Sequence, residues 1–131
     1  MNYCEILKDA KTIAVVGLST NPNKTSRNIA RYLVAAGYKV YGVNPACKER
    51  ELDGIPVFEN LKEIPEKIDI VDVFRRSEDI PQIIPDVINI NPKVLWLQLG
   101  IKNDEAVKPI SKKGITVVQD ECIYIQHNNC Y

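Results

Sequence analysis

The residues best suited to chemistry in this chain stand in short polar stretches that follow apolar runs. The longest is Gly17-Leu18-Ser19-Thr20-Asn21-Pro22-Asn23-Lys24-Thr25-Ser26-Arg27. The glycine at its head lets the backbone turn tightly. The hydroxyls of Ser19, Thr25 and Ser26 lead into a helical pattern whose first amides would attract an anion, and Lys24 and Arg27 add positive charge. Only the first glycine of a G-x-G-x-x-G fingerprint is present, and no GKS or GKT follows, so neither the dinucleotide nor the P-loop signature applies. A polar turn with routine helix capping is the competing reading of the same residues.

A second stretch is Val43-Asn44-Pro45-Ala46-Cys47-Lys48. An NAD-binding domain places an acidic residue at such a point to hold both ribose hydroxyls. Asn44 supplies no acid and Lys48 supplies a base, which favours a ribose carrying a phosphate, as in coenzyme A or NADP. In Phe74-Arg75-Arg76-Ser77, paired guanidiniums at a helix start can grip a phosphate, or merely pair with Glu78 and Asp79. Gln98-Leu99-Gly100 ends in a glycine that lets a ligand approach the backbone closely. Cys47 is a further candidate, because Lys48 beside it would favour the thiolate, the species that exchanges with a ligand thiol. A small turn residue is the alternative there.

These stretches need elements to hold them at one place. Thr12–Gly17, Lys39–Val43, Ile68–Phe74, Val94–Gln98 and Ile115–Val118 are rich in β-branched residues and mostly lack alternation, as strands buried on both faces of a parallel sheet do. Helical patterns lie between them. Ile29, Leu33 and Ala36 share a face over Thr25–Ala36, and Ile80, Ile83, Ile84, Val87 and Ile88 share one over Ser77–Ile90. Ser77 is the expected N-cap of that second helix. A third helix is expected from Asn103 to about Gly114. Pro85 and Pro109 fall inside these patterns, so a kink or a late start is expected. Ile55–Phe58 reads as a short strand, and a short helix follows Asn60. The alternation predicts one domain over 1–131 with an α/β, doubly wound, mostly parallel sheet of Rossmann type. In such sheets ligands bind beyond the carboxyl ends of the strands, where all four stretches fall.

The 17 basic and 17 acidic side chains balance, which argues against a nucleic-acid or anionic-membrane coat. No apolar run approaches the roughly 20 residues of a membrane span. Glu5, Lys8 and Asp9 near the start do not suit a secretory leader, so the cytoplasm is the expected compartment. Cys4, Cys47, Cys122 and Cys130 lie apart with no CxxC pair and read as reduced thiols. Cys122, after Asp120 and Glu121, reads as a structural thiol, and Trp96 as core. His127 is the only histidine and reads as a surface or packing residue, so no metal ligand set and no catalytic residue stands out. Ile123-Tyr124-Ile125 offers alternating apolar side chains, suited either to a homodimer contact or to covering a sheet edge.

Gly17-Leu18-Ser19, Asn44-Pro45, Val71-Asp72-Val73-Phe74-Arg75-Arg76, Trp96-Leu97-Gln98-Leu99-Gly100 and Asp120-Glu121-Cys122-Ile123 occur in an order that resembles the small stand-alone CoA-binding domain family. That family is similar to the N-terminal domain of the succinyl-CoA synthetase α-subunit. The likeness runs from about Thr12 to His127. It implies a Rossmann-like fold that binds coenzyme A or an acyl-CoA. It places the phosphates and adenosine near Gly17–Ser26, Val43–Lys48 and Phe74–Arg76, and the pantetheine near Gln98, Leu99 and Gly100. It does not extend to the synthetase's phosphohistidine or nucleotide-grasp domain. The expected function is therefore a non-catalytic carrier, sensor or regulatory module for coenzyme A. The alternatives are the CoA-binding subunit of a split acyl-CoA synthetase and an NADP-binding regulatory domain.

Overall fold

The computed structural model describes residues Met1–Tyr131. Along the chain come α1 Tyr3–Asp9, β1 Thr12–Val16, α2 Thr25–Ala35, β2 Lys39–Val43, β3 Glu51–Leu52, β4 Ile55–Phe58, β5 Ile70–Val73, α3 Ile84–Ile90, β6 Val94–Leu97, α4 Asp104–Lys112, β7 Thr116–Val118 and α5 Ile123–Asn129. Single 3-10 segments span Leu61–Glu63 and Ser77–Gln82. The strands form one sheet in the order β3-β4-β2-β1-β5-β6-β7. All pairings are parallel except that of the short edge strand β3 with β4. The chain moves outward from β1 through β2 to β4, then crosses back to β5 on the other side of β1. The reversal therefore lies between the carboxyl ends of β1 and β5, the switch point of a doubly wound sheet.

Successive strand residues point to opposite faces, and each face has its own core. Ala14, Val16, Val71, Val73, Leu95 and Leu97 join Ile84, Val87, Val107 and Ile110 of α3 and α4 on one side. Ile13, Val15, Ile70 and Trp96 join Leu7, Ile29, Leu33 and Ile123 of α1, α2 and α5 on the other. Burial on both faces is why the strand sequences show no alternation. No helix is long and apolar enough to cross a membrane.

Several expectations need correction. The helix expected over Ser77–Ile90 is divided, because Pro81 falls within the 3-10 segment and Pro85 within the first turn of α3. A proline lacks the amide that an uninterrupted helix would need at those points. Ser77 is not its N-cap: Arg76 holds that position, and the Ser77 hydroxyl accepts from the Lys102 amide at 3.0 Å. Asn103 does cap α4, accepting from the Ala106 amide at 3.1 Å. The alternating Ile123-Tyr124-Ile125 lies at the start of a helix. The chain turns off the sheet at Asp120, whose φ is 58°. The Trp96 indole then donates to the Glu121 carbonyl at 2.8 Å, and α5 begins with Ile123 buried and Tyr124 and Ile125 exposed. Nor are all four cysteines reduced. Helices α1 and α5 lie side by side, bringing Cys4 and Cys130 to a Cα separation of 5.6 Å, and the two form a disulfide across 126 residues of sequence. Cys47 and Cys122 are free thiols.

Candidate functional site

The switch point is built around Gly17. Its φ is +90°, and a Cβ there would stand 2.5 Å from the Phe74 carbonyl oxygen. Only glycine allows the ends of β1 and β5 to approach this closely. The loop beyond is fixed by its own polar groups. The Ser26 hydroxyl accepts from the Ser19 amide at 3.0 Å, and the Ser19 hydroxyl from the Asn21 amide at 3.0 Å. Arg27, expected to offer charge to a ligand, is instead buried beneath the loop. Its guanidinium donates to the Ser19 and Thr20 carbonyls at 3.3 and 3.0 Å and pairs with Asp53 at 2.8 Å. Those hydrogen bonds, with others from Arg31, hold the Asp53 carboxyl below its usual range. The surface of this loop thus consists of Lys24 and Thr25, both exposed, and the Thr25 and Ser26 amides, which donate to no protein acceptor.

Asn44 is held between two strand ends, its side-chain amide donating to the Leu18 carbonyl at 2.9 Å while its oxygen accepts from the Ala46 amide at 2.9 Å. It ties the Gly17 loop to the turn after β2, a positioning task that its sequence context did not reveal. Pro45 and Lys48 line a cavity of about 800 Å3 beyond that turn. The thiolate expected at Cys47 is not favoured. Burial pushes this thiol up, and its hydrogen bond to the Glu49 carboxylate, 3.4 Å away, pushes the same way. Glu49, not Lys48, dominates the thiol's surroundings.

The two arginines after β5 separate. Arg76 is exposed and lies 3.3 Å from Glu78 and 3.1 Å from Asp79, which matches the surface ion-pair reading. Arg75 has no acidic partner, and its Nε is buried without a hydrogen bond. Phe74 is half-buried against the α2 side of the sheet. Arg75, Arg76 and Gly100 line one cavity of about 510 Å3, and Arg75 also lines a smaller one of about 160 Å3 with Pro45 and Asn60. Gln98 faces inward: its side-chain oxygen accepts from the Ile123 amide at 3.0 Å, so Leu99 and Gly100 form the exposed part of that segment.

The structure therefore brings Gly17, Ser19, Lys24, Thr25, Ser26, Asn44, Pro45, Lys48, Phe74, Arg75, Arg76, Gln98 and Gly100 to the carboxyl end of one sheet, with cavities that share lining residues running along it. Ser26, Asn44 and Gln98 shape that end, while Lys24, Lys48 and Arg75 leave charge free on it. Asp53 and Asn60 were missed. Asp53-Gly54 carries an ordinary turn signal, and nothing in that dipeptide names Arg27 as its partner. Asn60 stood in an irregular stretch without a motif.

Comparison with known proteins gives a consistent picture. Residues 11–128 match the CoA binding domain family. An uncharacterized protein of Bacillus subtilis, YneT, is 42% identical over 94% of this chain and 90% of its own length. The solved structure of a Thermus thermophilus protein, cell-free ID.343, superposes with a TM-score of 0.95 at 36% identity over 100% of both chains. The α-subunit of ADP-forming acetate–CoA ligase I from Pyrococcus furiosus is 31% identical over 63% of this chain, which spans only 19% of that subunit. With its matched length, its switch-point glycine and its doubly wound sheet, the chain belongs to the CoA-binding domain family.

Proposed function

We propose that this protein binds coenzyme A or an acyl-CoA as a carrier, sensor or regulatory module, without chemistry of its own. The observation that carries the reading is the unpaired guanidinium of Arg75 beside the Gly17 turn. Open amides at the start of α2 and the exposed Lys24 and Lys48 supply further positive potential along the same ridge. The position that would hold an acid in an NAD site is Asn44, already committed to the backbone. Calorimetric titration tests the reading: coenzyme A should bind at least about tenfold tighter than NAD, roughly 1.4 kcal/mol. NAD binding tighter than coenzyme A would overturn it, and titration with NADP separates the remaining nucleotide alternative.

The similarity to part of an acetate–CoA ligase α-subunit favours a second reading, a CoA-binding component that works with catalytic domains on another polypeptide. Nucleotide-dependent acyl-CoA formation on mixing with a co-purifying partner would support it. Tyr124 and Ile125, neighbours on the exposed side of α5, suit a homodimer contact. Sedimentation showing a monomer at high micromolar concentration would remove that assignment.

A further inference from the structure

Helices α1 and α5, joined by Cys4–Cys130, also share one carboxylate. Glu121 Oε1 accepts from the Tyr3 hydroxyl of α1 at 3.5 Å, and its Oε2 accepts from the Gln126 side-chain amide of α5 at 3.0 Å. Glu121 belongs to the corner between β7 and α5, and that corner holds the segment after β6. The Gly100 amide donates to Asp120 Oδ1 at 2.7 Å, the Asp120 amide to the Ile101 carbonyl at 3.1 Å, and the Ile123 amide to Gln98 Oε1 at 3.0 Å. Leu99 and Gly100, exposed between these ties, line the cavity of about 510 Å3 that Arg75 and Arg76 also line. The rim of the site is thus held by the corner, and the corner by two helices of seven residues each. Helices that short are not stable alone, so their placement depends on tertiary contacts, the crosslink included. Cys4 and Cys130 are both partly exposed, within reach of a thiol in solution.

We infer that the Cys4–Cys130 pair is a redox-sensitive control of the coenzyme site, acting through the Asp120–Ile123 corner on Leu99 and Gly100. The inference rests on the coenzyme A reading above and adds the regulation of that site. The reductant is a small dithiol. One of its thiols, having released its proton, attacks a sulfur of the pair, and the other cysteine leaves as a thiolate that takes up that proton. The second thiol, ionised in turn, displaces the remaining cysteine, which is protonated as it leaves. Two electrons pass to the protein and the dithiol closes into a disulfide. In the oxidised chain α1 and α5 hold Glu121 from both sides, and the rim is ordered before the ligand arrives. In the reduced chain the joined ends of the helices can part, and part of the binding energy goes into ordering the rim. Coupling of this kind is reciprocal, so a bound ligand disfavours reduction by the same factor.

The probe is desulfo-coenzyme A, which has no thiol and cannot itself open the disulfide. The whole chain is titrated oxidised and again after treatment with dithiothreitol. The oxidised chain should bind at least about fivefold tighter, a coupling of ordinary size. Cys4→Ser should show the weaker affinity with and without reductant. Amide exchange locates the effect. Gly100 and Ile123 should exchange faster on reduction, whereas Gly17, whose amide donates to the Val43 carbonyl at 2.8 Å, should not. Equal or reversed affinities in the two states overturn the inference and leave the coenzyme A reading standing. Faster exchange at Gly17 as well shows a general loosening and also overturns it. A chain that binds the probe in neither state overturns the coenzyme A reading and this inference with it. Should Cys4→Ser fail to fold, reoxidation of reduced wild type must restore the tighter affinity, and failure to restore it counts against the inference.

Discussion

Asp72 lies in the middle of β5, paired with Val15 of β1 and Trp96 of β6, wholly buried, with both carboxylate oxygens unpartnered. Burial pushes its carboxyl well above the ordinary carboxylate range. The native chain therefore keeps a proton that the unfolded chain releases once pH exceeds the usual aspartate value. Above that value the unfolded state binds fewer protons, so stability should fall as pH rises, by at most about 1.4 kcal/mol per pH unit, until the raised native value is passed. Denaturant melts across mildly acidic to neutral pH should show this slope in wild type and lose it in Asp72→Asn. A second residue-scale prediction concerns the arginine pair. Arg75→Ala should weaken coenzyme A binding by about 1.5–3 kcal/mol, the value of a hydrogen bond to a charged group. Arg76→Ala, which removes only exposed ion pairs, should change it by less than about 1 kcal/mol. Titration of the two variants decides between them. In the sequence the two arginines are adjacent and either could pair with Glu78 and Asp79; which of them does so, and which is buried, is visible only in the fold.

Among the elements, the parallel strands were the most legible, because a strand covered on both faces is apolar at nearly every position, Asp72 being the exception in β5. Helix α1 was not foreseen, since seven residues with a single buried side chain, Leu7, leave almost no periodicity to read. The antiparallel β3 consists of Glu51 and Leu52 on an edge, too short for any pattern. At the site, charge was legible but its use was not. Arg27 looked like a ligand contact and proved to be the anchor of the loop, because its partner Asp53 lies 26 residues away on the turn between β3 and β4. Arg27→Met should leave two loop carbonyls without their donor and Asp53 with Arg31 alone, and cost about 2 kcal/mol of stability. Thermal melts measure the loss, and coenzyme A affinity should fall as the loop loosens. Gly17→Ala should also destabilise, by about 1–3 kcal/mol, through its positive φ and the clash with the Phe74 carbonyl. An unchanged melting temperature in that variant would show that β1 and β5 can part without penalty.

At the scale of the whole molecule, the helices that the disulfide joins are each also packed onto the rest of the fold. Tyr3 packs against Trp96 with ring centroids 5.6 Å apart, and its hydroxyl reaches Glu121. His127 stands 2.6 Å from the Tyr32 hydroxyl, and burial lowers its pKa. The Cys4–Cys130 pairing was illegible because sequence spacing says nothing about which termini meet. A crosslink over so long a loop restricts the unfolded chain most, so Cys4→Ser should lower stability by about 2–4 kcal/mol. Reductant should lower the wild-type melting temperature toward that of the variant and leave the variant unaffected. The bond has a topological consequence as well. Backbone and disulfide together close residues 4–130 into a ring, so one cut in an exposed turn opens the ring without separating its two parts. A single tryptic cleavage after the exposed Arg50 should therefore leave both fragments travelling as one species, parting only when a thiol is added.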